Sequence, residues 1–115
     1  MMTTPRFLQG VFAFEGHGLA KPSLLHPTLT YTVPEGTTGQ VLYVRGGNAS
    51  AELVCLVLVF DGAPARWLPI GARADMHVSL RVVEDLLAGS SIEIHLAAPE
   101  GTSGTVVVDM GLVEV

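Results

Sequence analysis

Apolar and polar residues alternate with a period of two along much of this chain, and this alternation is what most limits the fold. In residues 28–33, three apolar side chains alternate with three threonines, so that one face is apolar and the other polar. Such a pattern indicates a half-buried β-strand, because successive side chains of a strand point to opposite faces. The same test predicts strands at residues 75–82 and 92–96.

The rest of the chain divides into further short strands separated by turn-forming residues. Strands are predicted at residues 7–14, 40–45, 52–60, 66–70 and 105–115, and turns at residues 15–18, 45–48, 61–64 and 71–73. Only residues 82–88 have helical spacing, enough for one turn. We therefore predict a single all-β domain over residues 1–115, an antiparallel two-sheet sandwich of about eight strands, jelly-roll-like or immunoglobulin-like.

A short segment occurs twice. Pro-Glu-Gly-Thr-Thr-Gly at residues 34–39 returns as Pro-Glu-Gly-Thr-Ser-Gly at residues 99–104, and the apolar positions of the flanking strands coincide at the same spacing. We expect two equivalent hairpins with Pro-Glu-Gly-Thr loops, related by a pseudo-twofold arrangement. The alternative is that the two acidic loops form a ligand site, but the turn-forming properties of Pro, Gly and Thr already explain their composition.

Residues 53–60 are an uninterrupted apolar run in a chain that is 49% hydrophobic. A strand that is apolar on both faces needs a cover on each, whereas one face of an antiparallel sheet commonly meets water. We therefore expect a homo-oligomer, a dimer or trimer, with the strand in its interface. The predicted interface residues are Leu53, Cys55, Val57 and Val59. The alternative is that residues 7–14 or 18–25 of the same chain cover this face.

Charge and cysteine content narrow the partners and the compartment. Six Lys and Arg against eleven Asp and Glu give a net charge of -5, which repels nucleic acid and anionic lipid. No apolar run approaches the roughly 18 residues of a membrane helix, and the N-terminus has no signal-peptide pattern. Cys55 is the single cysteine and lies among apolar residues, so we expect a buried thiol and a cytoplasmic protein.

Polar residues suggest one ligand-binding surface, if two of the predicted strands share a sheet. His77 and His95 lie on the polar faces of these strands, and Trp67 is the only tryptophan on which a sugar ring could stack. The candidate ligand-binding residues are Arg66, Trp67, Asp75, His77, Arg81, Glu93 and His95. The alternatives are an ordinary solvated sheet face and a tryptophan that is buried or lies in an interface.

Catalytic patterns are missing. No serine lies in a Gly-x-Ser-x-Gly elbow, and no His-x-His or His-x-x-x-His pair occurs. The strand count resembles a cupin-like jelly roll, but the metal motif of that family, a close histidine pair followed by Glu, is missing. We predict no cofactor; a divalent metal held by His77 and His95 is the minor alternative.

These observations favour a non-enzymatic, self-associating β-sandwich that acts as a binding or assembly module. The first alternative is a small-ligand or carbohydrate-binding module that uses a polar sheet face. The strand count and the strand that begins at Gly104 resemble carbohydrate-binding jelly rolls in shape, without a shared motif. The second alternative is a metal-dependent, cupin-like enzyme.

Overall fold

The computed structural model describes residues 3–115, which form nine strands and, within that range, no helix. The strands are β1 (Thr4–Glu15), β2 (Ser23–Leu24), β3 (Thr30–Thr32), β4 (Gly39–Asn48), β5 (Val54–Phe60), β6 (Ala63–Ile70), β7 (Asp75–Ser79), β8 (Ser91–Ala97) and β9 (Ser103–Glu114). Sheet I has the order β1-β9-β4-β7, and sheet II has the order β2-β8-β5-β6, with β3 also paired to β8. All strand pairs are antiparallel, which confirms the predicted two-sheet sandwich. The described residues contain no helix long and apolar enough to cross a membrane.

Strands β2 and β3 are two parts of one interrupted edge strand. Both pair with β8, β2 opposite residues 95–96 and β3 opposite residues 91–93. Pro27, which has no backbone N–H to donate, lies in the gap between them. Counted as one, they leave eight strands, four in each sheet, connected as in a jelly roll.

The core lies between the sheets and follows the predicted alternation. In β9, every second residue from Val106 to Leu112 is almost fully buried, whereas Val107 is half exposed on the other face. Leu56 and Leu58 of β5 meet this layer from sheet II. Burial of such side chains contributes about 25 cal/mol per Å² of apolar surface, and it is the main force that holds the sheets together.

The two Pro-Glu-Gly-Thr segments are structurally equivalent, as the repeat predicts. Gly36 and Gly101 have φ values of 79° and 83°. In each segment the threonine N–H that follows the glycine donates to the carbonyl of the proline, at 3.3 and 3.0 Å. A glycine of positive φ at the third position is typical of a type II turn. These interactions account for the sequence of both loops as turn chemistry.

The two units are arches between the sheets, so the prediction of hairpins is wrong. The first loop joins β3 of sheet II to β4 of sheet I, and the second joins β8 of sheet II to β9 of sheet I. Strands that flank a loop therefore do not pair with each other. Instead β3 pairs with β8, and β4 with β9, which places the two arches side by side and antiparallel in both sheets. Equivalent sequences do not specify which sheet receives each strand.

Strand β5 is buried on both faces within the single chain. Cys55, Val57 and Val59 lie on the outer face of sheet II, yet they are only 8%, 0% and 3% exposed. The strand register places Trp67 of β6 and His95 of β8 on either side of Val57 on the same face. Long side chains of the neighbouring strands therefore flank the apolar strip.

This burial removes the reason for which an interface at β5 was predicted, namely an uncovered apolar face. The residues predicted to form it were Leu53, Cys55, Val57 and Val59. Only Leu53 is substantially exposed, and it lies just before β5. A partner subunit is not needed to cover β5, since its own sheet neighbours shield it. Self-association itself stays a prediction.

Several segments differ from the predictions. Strand β2 was not predicted, and Ala63 and Pro64, predicted in a turn, belong to β6. Residues 45–48, predicted as a turn, continue β4 as far as Asn48. Strand β7 ends at Ser79, short of residue 82, and residues 82–88 form no helical turn. This segment instead crosses the edge of the sandwich, where Gly39 and Leu86 exchange two backbone hydrogen bonds of 2.8 Å.

Candidate functional site

A β-bulge in β4 determines which side chains face outward on sheet I. Val41 is paired with Leu112, but the next residue of β9, Gly111, is paired with Tyr43, so that Leu42 is the additional residue. A bulge of this kind reverses the inward and outward alternation that follows it. Tyr43 therefore lies on the outer face, although strict alternation from residue 41 predicts that it faces the core.

The ring of Tyr43 lies against the backbone of Gly111. A Cβ atom at residue 111 would overlap the ring, so the residue paired with this tyrosine must be glycine. The Tyr43 hydroxyl donates to Asp109 Oδ1 at 3.0 Å. Its ring is edge-on to the imidazole of His77, with centroids 5.9 Å apart and planes at 86°. These contacts hold the Tyr43 ring on the outer side of the sheet, where it stays partly exposed.

Charged groups surround the tyrosine. Arg45 Nη1 lies 3.7 Å from Asp109 Oδ2, a long ion pair that leaves the guanidinium largely exposed. Burial raises the pKa of the Tyr43 hydroxyl, the hydrogen bond and negative charge of Asp109 raise it further, and Arg45 partly opposes them. The Tyr43 hydroxyl is therefore protonated at neutral pH. The exposed guanidinium of Arg45 keeps N–H donors for a ligand.

These side chains border a depression of about 380 Å³ on the outer face of sheet I, which we call the sheet I depression. Its lining consists of Arg45, Gly46, Gly47, Asp75, Met76, His77, Val107 and Asp109. Gly47 creates much of the space because it lies between Asp75 and Val107 in the register and has no side chain. A Cβ there would meet only the Val107 Cβ, at 3.8 Å, so the position is open.

Exposed apolar side chains continue the surface toward β1. Phe7 is paired with Gly111 and therefore follows Tyr43 and Gly111 across the sheet. Val11 is paired with Val107 two rows farther along, beyond the polar pair of Gln9 and Asp109, and both valines are at least half exposed. The outer face of sheet I thus combines a polar depression with exposed apolar side chains at its border, Phe7, Val11 and Val107, which we call the apolar rim.

The candidate residues named from sequence are distributed over three places. Asp75 and His77 line the sheet I depression. Trp67, Glu93 and His95 lie on the outer face of sheet II. The remaining two, Arg66 and Arg81, belong to neither surface.

The two remaining arginines lie at the edge of the sandwich. Arg66 Nη2 lies 3.3 Å from Glu84 Oε1 and donates to the Val82 carbonyl at 3.4 Å, so it anchors the segment after β7. Arg81 is exposed in that segment, beyond the end of β7. The prediction that all seven candidate residues form a single site is therefore wrong.

The two candidate metal ligands, His77 and His95, occupy different sheets and face away from each other, so they cannot share a metal ion. Among residues 3–115 no group of three or more His, Cys, Asp or Glu side chains is arranged to hold a metal. The imidazole of His95 contacts a carboxylate on its own strand, with its Nε2 atom 3.0 Å from Glu93 Oε1.

Sequence reasoning missed Tyr43, Arg45 and Asp109. Alternation predicts that Tyr43 faces the core, and the two glycines after Arg45 predict a turn there. Asp109 is the one acidic residue in the middle of an otherwise apolar strand, and this was the available signal. Nothing in the local sequence marks the bulge at Leu42.

No protein-family model matches the chain, and no curated protein matches its sequence. Solved structures do. A CBM36-1 domain of a multidomain xylanase from the hindgut metagenome of Trinervitermes trinervoides matches with a TM-score of 0.58 at 11% identity, over 96% of both chains. A family 35 carbohydrate binding module from Clostridium thermocellum matches with a TM-score of 0.52 at 12% identity, over 95% of this chain and 97% of that one.

A third similar structure comes from a virus. A chain of infectious bursal disease virus, Gx strain, matches with a TM-score of 0.55 at 10% identity, over 98% of this chain but only 32% of the viral one. At such low identity the three similarities establish the fold alone. The chain has the sandwich fold that is found in carbohydrate-binding modules.

Proposed function

We propose that this chain is a non-enzymatic binding module and that the sheet I depression binds a carbohydrate. The observation that carries the proposal is the arrangement of Tyr43 beside Arg45, His77 and Asp109. It places an aromatic ring face next to donors and acceptors of hydrogen bonds on one open surface. Sugars combine an apolar face of C–H groups with hydroxyls at the ring edge, so they need both kinds of contact.

The charge of the depression favours a neutral sugar. One arginine faces two carboxylates, Asp75 and Asp109, and the whole chain carries a net charge of -5. An anionic ligand would be repelled by these carboxylates. Hydroxyl groups can donate to the carboxylates and accept from Arg45, which satisfies both without burying a charge alone.

The similar solved structures support this choice, since two of them are by name carbohydrate-binding modules or domains of that type. The open shape is also suited to binding a segment of a long chain. A depression on a sheet face has no walls at its ends, so a polysaccharide could extend past it toward the apolar rim at Phe7.

Calorimetric titration with neutral β-linked hexasaccharides of glucose, xylose and mannose tests the proposal. At least one should bind, and Gly47→Val, which fills the depression, should weaken binding about tenfold, or about 1.4 kcal/mol. Glu35→Gln and Glu100→Gln, in the two arch loops, are matched controls that should bind as the parent does. Equal affinity of the Gly47 variant and the parent would place the ligand elsewhere.

Self-association through the outer face of sheet I is a second candidate function. It is favoured by the apolar rim, in which Phe7, Val11 and Val107 are 55%, 67% and 50% exposed. Strand β1 is also an edge strand with one unpaired side, which is a surface on which a second strand can pair. Val11→Lys should disrupt such an assembly, because it introduces a charge into the rim.

Analytical ultracentrifugation at tens of micromolar distinguishes the two functions. A dimer that the Val11→Lys substitution dissociates supports assembly, whereas a monomer at all concentrations removes this candidate. An oligosaccharide that dissociates the dimer would indicate that both functions use the same face.

A further inference from the structure

We infer that the outer face of sheet II is a second, independent sugar-binding surface, with Trp67 as its stacking platform. The residues that form it are Trp67, Val57, His95 and Glu93, which we call the Trp67 platform. It lies on the opposite side of the sandwich from the sheet I depression, and it does not depend on the function proposed for that depression.

The exposure of Trp67 is the first observation. Its side chain is on the edge strand β6 and is 48% exposed, whereas Leu68, the next residue, is buried in the core. An indole has one of the largest apolar surfaces of any side chain, and leaving half of it in water forgoes a substantial stabilisation. A flat ligand placed on the indole would recover it.

The strip of β5 beside the indole is apolar and covered by its neighbours. Val57, the residue paired with Trp67, is 0% exposed, and Cys55 and Val59 of the same strand are also buried. No pocket is needed for a ring to stack here, because the contact is made with the face of the indole. The buried valine instead gives the platform a rigid base.

The polar groups of His95 and Glu93 lie on β8, on the other side of this buried strip. His95 is paired with Val57 on β8, so Trp67, Val57 and His95 form one row across three strands. Two strand spacings, about 10 Å, separate the backbones of Trp67 and His95. Because Val57 between them is 0% exposed, a sugar ring would lie over the indole with its edge toward the imidazole. His95 Nε2 is fixed 3.0 Å from Glu93 Oε1, and both side chains retain partial exposure.

The chemistry of this row selects a neutral pyranose. Stacking on Trp67 uses the C–H face of the ring, and the hydroxyls at its edge reach the Glu93–His95 pair, which offers carboxylate acceptors and an imidazole nitrogen. Arg66 is turned toward Glu84 at the edge of the sandwich, so no arginine balances Glu93 on this face. An acidic sugar would therefore be repelled.

Two sites on opposite faces would make the module bivalent. Each face binds without obstructing the other, because the core separates them. A polysaccharide with many equivalent units could then be held at both sites, or two chains could be bridged, with the gain in apparent affinity that linked sites produce.

Tryptophan fluorescence provides the test, since Trp67 is the only tryptophan. Titration with the same neutral hexasaccharides should shift or quench its emission, and Trp67→Ala should weaken calorimetric binding at this site about tenfold. Trp67→Phe should retain part of the affinity, and Glu93→Gln should weaken it. Far-ultraviolet circular dichroism and thermal unfolding verify that each variant is folded.

Variants of the other face separate this inference from the proposed function. Gly47→Val should leave the fluorescence change intact, and Trp67→Ala should leave binding to the sheet I depression intact. The inference is overturned if a hexasaccharide binds without any change in Trp67 emission, if folded Trp67→Ala binds with unchanged affinity and stoichiometry, or if none of the three sugars binds at millimolar concentration. Loss of the fluorescence response in the Gly47 variant would also overturn it.

Discussion

The ring of Tyr43 rests on the backbone of Gly111, the residue paired with it in the adjacent strand. This contact exists because the bulge at Leu42 turns Tyr43 out of the core and because Gly111 has no side chain to displace it. It places the hydroxyl at Asp109 and the ring edge-on to His77. This pair therefore positions Tyr43 beside the residues that line the sheet I depression.

Gly111→Ala should therefore disturb both stability and binding. The added methyl would overlap the Tyr43 ring, and overpacking of this kind costs about 1–3 kcal/mol. Gly47→Ala is the matched control, since the new methyl would meet only Val107 Cβ at 3.8 Å and should be nearly neutral. Urea unfolding followed by circular dichroism measures both. Equal stability of the two variants would show that Tyr43 does not rest on Gly111.

The two arches should respond equally to the same substitution. Gly36→Ala and Gly101→Ala each place a side chain at a φ near 80°, in the left-handed region, which should cost about 1–2 kcal/mol. Gly71→Ala is the control, because its nearest neighbour would be Ala74 Cβ at 3.7 Å and its φ is not in that region. Thermal unfolding of the three variants gives the comparison. A large difference between the two arch variants would contradict their structural equivalence.

Tyr31→Phe should destabilise the sandwich more than Tyr43→Phe. The Tyr31 hydroxyl donates to the buried carboxylate of Glu114, which also accepts from Arg6 Nε at 3.0 Å, so the contact joins sheet II to sheet I. Removing one partner of a buried charged group costs about 1–3 kcal/mol, whereas the Tyr43 hydroxyl is on the outer face. Chemical denaturation of both variants measures the difference. The reverse order of stability would refute the role of this contact.

Tyr43 should ionise above the ordinary tyrosine pKa of 10.0. Burial is the main cause, followed by the hydrogen bond and charge of Asp109, while Arg45 acts in the opposite direction. A raised pKa in the folded state means that stability is unaffected below pH 10 and falls as the pH rises through the folded value. Absorbance titration near 295 nm should show a late component that Tyr43→Phe removes. Its persistence in that variant would assign it to Tyr31.

Cys55 should react slowly with thiol reagents. It is buried on the outer side of β5, and burial raises the pKa of its thiol, although a backbone hydrogen bond from Leu68 partly lowers it. Little thiolate is therefore present at neutral pH, and access is blocked. Labelling with a chromogenic disulfide should be much slower in the native protein than in urea. Immediate labelling of the folded protein would mean that the outer face of β5 is open.

Much of the fold could be predicted from local sequence. Alternation predicted three strand regions, since the side-chain period of two is a property of each strand by itself, and turn-forming residues delimited five more. The repeated Pro-Glu-Gly-Thr loops predicted two equivalent units, and both units have the same turn. The strand predicted at residues 105–115 is also present, and burial alternates along its apolar run because no bulge interrupts it there.

The candidate site was predicted less well, because its composition depends on which strands pair in a sheet. Asp75 and His77 were named correctly as neighbours on a polar face, but Glu93 and His95 were placed with them although they belong to the other sheet. Tyr43 was missed because a bulge depends on the partner strand as well as on its own residues. The interface expected at β5 failed because side chains from β6 and β8 flank its outer face.

The sequence by itself determined the strand content, the turns and the polar or apolar character of each face, because these follow from interactions between near neighbours in the chain. Only the tertiary structure decided the rest: which sheet holds each strand, where the alternation reverses at Leu42, and what shields Val57. These depend on contacts between residues far apart in sequence. The burial of β5 and the separation of the two polar faces thus arise from strand order, which local sequence patterns do not specify.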